Sequence, residues 1–116
     1  MALAPLSGGV LALDHAGALL WLNGSGQVTR RLRLSGHPDK LVLSADTHGR
    51  LLAYVSDRAG QVTRIDLVTG RQRSRRFTKP MDLAPMPDGH IALADSEGGV
   101  KILNANLDVM HRYGGS

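Results

Sequence analysis

Three aspartates set the terms of the fold. Asp14, Asp57 and Asp95 each stand three positions before a glycine (Gly17, Gly60, Gly98) and nine before a short polar residue (Asn23, Asp66, Asn104). The segments between are strand-like and largely apolar: Leu19-Leu20-Trp21-Leu22, Val62-Thr63-Arg64-Ile65 and Val100-Lys101-Ile102-Leu103. Asp14 lies 43 positions from Asp57, and Asp57 lies 38 from Asp95, so the period is about 40 residues. Matching offsets in three places mean three copies of one supersecondary unit. Such units bury their apolar faces by stacking on one another.

The fullest copy runs from Leu51 to Gly70: an apolar strand ending in Ser56-Asp57, a turn at Arg58-Ala59-Gly60, a strand over Gln61 to Asp66, and an exit turn through Thr69-Gly70. Around it the chain divides into segments 1–36, 37–78 and 79–116. In the first, strands are expected over Leu3-Leu6, Val10-Leu13, Ala18-Leu22 and Gln27-Leu34. Asn23-Gly24-Ser25-Gly26 supplies a hairpin turn rich in residues that tolerate positive φ. Gln27 to Leu34 alternates polar and apolar residues, as a half-buried strand does. The second segment opens on Leu41-Ser44 and closes on Arg71-Phe77. In the third, Leu83-Ala84-Pro85-Met86-Pro87-Asp88-Gly89 echoes Leu3-Ala4-Pro5-Leu6-Ser7-Gly8-Gly9. No stretch of twelve residues carries apolar positions at helical spacing without a Gly or Pro interrupting it. The chain therefore reads as all-β, with four short strands per unit.

The run Asp57 to Gly70, D-x-x-G-x-V-x-x-I-D-x-x-T-G, resembles the blade hairpin of bacterial β-propellers of the WD-repeat, YVTN and quinoprotein-like superfamily. The resemblance implies three four-stranded antiparallel blades. It departs from the WD-repeat pattern in having only Gly36-His37 as a candidate Gly-His pair and no closing Trp-Asp. Propellers need about four to eight blades to close, so three leave apolar blade faces in water. A second copy could complete a six-bladed ring, a partner protein could dock, or the chain could belong to a larger propeller. That superfamily spans scaffolds, ligand sensors and enzymes, so the fold implies no activity.

The chain has no cysteine, which excludes disulfides and thiolate metal sites and fits a reducing compartment, the cytoplasm. No apolar run approaches the roughly 18 residues of a membrane helix. Aromatic residues are only 3% of the chain, so Leu, Val, Ile and Ala must form the core.

Asp14, Asp57 and Asp95 could be read as a ring of carboxylates. An Asp before x-x-Gly, however, accepts hydrogen bonds from its own turn, and repetition in every unit suits architecture. They are taken, with Gly17, Gly60 and Gly98, as structural turn residues. His15, His37, His48, His90 and His111 form no local metal-binding pair. No nucleophile elbow, phosphate loop or dinucleotide motif is present, so no catalytic residue, cofactor or metal is expected.

The asymmetric feature is charge. Eight of the fourteen basic residues (Arg30, Arg31, Arg33, Arg71, Arg73, Arg75, Arg76 and Arg112) fall on the closing strands, which form a propeller's rim. Arginine forks match carboxylates and phosphates alike. Charged edges also prevent strand-to-strand aggregation, and an Arg-rich, Lys-poor chain can reflect a GC-rich genome. The contact surface expected is Arg31, Arg33, Arg73, Arg75 and Arg76. The leading expectation is a non-catalytic scaffold for protein–protein contact or assembly. Its alternatives are part of a propeller enzyme or small-molecule binder with a central-channel site, and a basic nucleic-acid module. Without aromatic rings among the arginines, stacking on single strands is not favoured.

Overall fold

The computed structural model describes residues 2–14, 16–46, 48–77, 80–96 and 98–114, with Pro80 and Met81 as backbone alone. His15 and the expected boundary between Thr78 and Lys79 lie outside the described residues. Twelve strands follow one another: β1 (Ala2–Leu6), β2 (Gly9–Leu13), β3 (Ala18–Asn23), β4 (Val28–Arg33), β5 (Lys40–Ala45), β6 (Leu51–Ser56), β7 (Gln61–Asp66), β8 (Gln72–Arg76), β9 (Pro80–Pro85), β10 (Ile91–Asp95), β11 (Gly99–Leu103) and β12 (Val109–Gly114). They form three four-stranded sheets, β1 to β4, β5 to β8 and β9 to β12, each pairing only sequential neighbours, antiparallel. Among the described residues there is no helix, and none is long and apolar enough to cross a membrane.

One turn chemistry recurs throughout. Asp14 Oδ1 accepts from the N–H groups of Ala16 (3.0 Å) and Ala18 (2.9 Å), while Asp57 and Asp95 accept from Gln61 (2.9 Å) and Gly99 (3.0 Å). The β3–β4 and β11–β12 turns repeat it with amides. Asn23 accepts from Ser25 and Gln27, and Asn104 from Asn106 and Asp108. A side-chain oxygen thus satisfies the turn N–H groups that the ladder cannot reach. Gly60 shows why the third following position is glycine. Its φ is +108°, and a Cβ there would collide with the Phe77 carbonyl.

The core lies between the sheets. Strand side chains alternate between the two faces of a sheet, so a sheet can pack against a neighbour on either side. Leu11, Leu13 and Leu19 of the first sheet meet Ala53, Val55 and Ile65 of the second. The second sheet's other face, Leu52, Tyr54 and Val62, meets Leu83, Ile91, Leu93 and Leu103 of the third. The middle sheet is therefore covered on both sides, and β6 and β7 are buried along most of their length. The innermost strands adjoin, β5 lying against both β1 and β9. The result is an arc of 47 × 31 × 19 Å.

Candidate interaction surfaces

Each seam between sheets is closed by arginine. Arg30, whose guanidinium lies 4.6 Å over the Trp21 ring, donates to the Leu67 carbonyl at 2.9 Å. In the next seam Arg64 donates to the Ala105 carbonyl at 2.6 Å, and Arg75 to that of Leu107 at 2.9 Å. Leu67 and Ala105 are equivalent positions 38 residues apart, both in the turn before an outer strand. The guanidinium thus satisfies turn carbonyls of the following sheet while its stem lies along apolar surface. Glutamines lock the reverse direction: Gln61 bonds to Ser35 Oγ at 2.7 Å, and Gln72 to the Arg33 carbonyl at 3.2 Å. The clasping role of Arg30 and Arg64 was not expected from sequence. A signal existed for Arg64, which stands where the other copies carry Trp21 and Ile102.

All five expected contact arginines are exposed and lie on outer strands, but they do not face one way. Arg31 sits level with Leu20 and Arg33 with Ala18, on the uncovered face of the first sheet. Arg73 and Arg75 sit level with Arg64 and Val62, on the side facing the third sheet. Arg76 donates to the Ala59 carbonyl at 3.2 Å, fastening its own sheet's turn. Arg75 serves the seam. Arg31, Arg33 and Arg73 make no hydrogen bond or ion pair among the described residues.

The arc ends in two open faces. The outer face of the first sheet carries rows of apolar residues, Leu3-Ala12-Leu20 and Pro5-Val10-Leu22-Val28, in which Leu3 is 65% and Val28 46% exposed, Val10, Leu20 and Leu22 are half-buried and the small Ala12 is buried. The third exposes Ala94-Val100-Tyr113 and Ala84-Ala92-Ile102-His111, with Tyr113 58% exposed.

A cavity of about 570 Å³ opens between the first two sheets, lined by Leu13, Asp14, His37, Asp39, Asp57 and Arg58 among others. Arg58 and Asp39 pair across 3.4 Å at its exposed mouth. Of the remaining histidines, His90 contacts Asp88 at 2.8 Å, His48 lies in the β5–β6 turn and His111 lies 6.2 Å from the Tyr113 ring. Among the described residues no group of three His, Asp or Glu could hold a metal. Three turn carboxylates are held more acidic than usual. The Thr69 and Val68 N–H groups hold Asp66 below the usual carboxylate range, with Arg50 assisting at 3.3 Å. Asp46 and Asp88 are lowered likewise, chiefly by hydrogen bonds from Arg50 and His90.

No protein-family model matches the sequence, and no curated protein matches it. Solved structures do. BamB from Moraxella catarrhalis superposes with a TM-score of 0.78 over 99% of this chain, at 18% identity. BBS1N, solved in complex with ARL6DN, gives 0.79 over 90% at 15% identity. The Pan2 WD40 domain of Neurospora crassa gives 0.73 over 97% at 18% identity. The chain spans about a third of each of these structures, 35% in all three. At such identities the likeness shows the fold: the three sheets are β-propeller blades, stacked face to face.

Proposed function

We propose that the chain is a non-catalytic propeller scaffold that mediates protein contact, in a ring completed by blades from a second copy or a partner. The observation that carries this reading is the pair of open apolar blade faces, which match faces buried elsewhere in the chain. Exposed sheet faces of this kind mark association sites. Support also comes from BBS1N, a similar blade arrangement solved with a protein bound. The absence of cysteine supports a cytoplasmic setting.

The proposed contacts for a further partner remain Arg31, Arg33, Arg73, Arg75 and Arg76, exposed on the outer strands at the rim of the seams. Because Arg75 and Arg76 also fasten the fold, a clean test removes only Arg31, Arg33 and Arg73. The probe is a labelled peptide rich in Asp and Glu, titrated against the native chain and the triple alanine variant. The reading predicts binding that weakens with salt and is lost in the variant, with the fold intact. Binding of duplex DNA in preference to the peptide would overturn it in favour of the nucleic-acid alternative.

A second reading rests on the cavity between blades one and two, where Asp14, His37, Asp39, Asp57 and Arg58 stand beside apolar Leu13 and Pro38. The same fold serves the dihydro-heme d1 dehydrogenase NirN, solved with DHE (TM-score 0.66, 18% identity). Under that reading a small molecule would raise the unfolding temperature of the closed ring.

A further inference from the structure

We propose that the missing blades are a second copy of this chain. The third blade of each copy packs on the first blade of the other, making a ring of six blades, three from each. This rests on the scaffold reading above and names the occupant of its open faces.

Each seam inside the chain joins a leading face to a trailing face. The leading positions Leu11 and Leu19 recur as Tyr54 and Val62, and the trailing positions Ala53, Val55 and Ile65 recur as Ile91, Leu93 and Leu103. Carried one unit further by the same offsets, the leading set becomes Ala92 and Val100, on the open face of blade three. Carried one unit back, the trailing set becomes Val10, Ala12 and Leu22, on the open face of blade one. Each end thus displays the half of the contact that the other end lacks. Both faces mix small and bulky side chains, Ala92 and Ala94 beside Ile102 and Tyr113 on blade three, and Ala12 beside Leu3, Leu20 and Leu22 on blade one.

The polar clasp also has its counterpart. Arg30 lies level with Trp21 and reaches the Leu67 and Val68 carbonyls. On blade three, His111 lies level with Ile102, the equivalent of Trp21. The equivalents of Leu67 and Val68 are Gly24 and Ser25, whose carbonyls in the second copy would accept from the imidazole N–H. A leading-to-trailing contact made between two chains closes under a twofold axis, so both ends of both copies are buried at once.

The test is sedimentation equilibrium of the native chain, of Ile102→Glu on blade three, of Leu20→Lys on blade one, and of the two variants mixed. The native chain is expected at twice its 12.4 kDa mass. Each variant alone is expected as a folded monomer by circular dichroism, because both seams of its homodimer carry an added charge within the apolar rows and no opposite charge is introduced across from it. The mixture is expected to regain the dimer, with one seam unmodified and the opposite charges paired in the other. A native chain that stays monomeric across the dilution series would overturn the proposal, as would a ladder of heavier species. A Leu20→Lys variant that still dimerises would do the same, because it would mean like faces pair. A monomer that still binds the acidic peptide refutes ring closure alone. Because Arg31 and Arg33 lie on the face that the second copy covers, peptide binding is also read on the monomeric Ile102→Glu variant, where failure to bind refutes the contact surface alone.

Discussion

Tyr54 is fully buried between blades two and three, and its hydroxyl has no hydrogen-bond partner among the described residues. Burial pushes its pKa up. An unpaired buried hydroxyl costs about 1–3 kcal/mol of desolvation. Tyr54→Phe should therefore leave the urea midpoint unchanged or raise stability by about 1 kcal/mol; a comparable loss would reveal a partner. Leu107 adopts φ +66°, a left-handed conformation that Gly26 adopts at the corresponding turn of blade one. Such strain in a non-glycine costs about 1–3 kcal/mol, offset here by complete burial of the side chain. Leu107→Ala keeps the strain and loses the packing, so a loss of about 2–4 kcal/mol is expected on denaturant unfolding. The turn aspartates were legible in sequence because Asp-x-x-Gly encodes its own hydrogen bonds. Leu107 was not, because its conformation is imposed by the core.

Acid sensitivity belongs at the same scale. Asp46, Asp66 and Asp88 have folded pKa values below the ordinary 3.8, so the unfolded chain binds their protons first. Their contribution is complete above the ordinary value and is lost as pH falls through the lower folded values. The unfolding midpoint should be flat at neutral and mildly acidic pH and fall below about pH 4. Asp66→Asn should blunt that fall, since an amide oxygen makes the same turn bonds at Asn23 and Asn104. An unchanged acid limb would contradict this assignment.

At the scale of the strand and seam, hairpins were readable and side-chain direction was not. The offsets in the sequence located the strands, but a rim position says nothing of which neighbouring blade a side chain faces. That depends on register: Arg64 opposite Tyr54 and Arg73 opposite Arg64 face blade three, whereas Arg31 opposite Leu20 faces away from blade two. The seam account separates arginines that look alike in sequence. Arg64→Met keeps the apolar stem but removes the donor to Ala105, and should cost about 1.5–3 kcal/mol. Arg73→Ala, with no partner among the described residues, should change stability by less than about 0.5 kcal/mol. Equal losses from the two in thermal unfolding would refute the clasp.

At the scale of the whole molecule, the incompleteness of the ring was visible in the repeat count. The matching of the two ends emerged only from which positions the two internal seams bury. Three stacked blades form an arc with an inner edge, an outer edge and two apolar ends, and the ends are where association has most surface to gain. Small-angle X-ray scattering of the native chain tests this most directly. The account predicts a flat, ring-like particle of twice the chain mass, with a radius of gyration above the 13.9 Å of the single arc. A particle with the mass and dimensions of one arc at every concentration would contradict it.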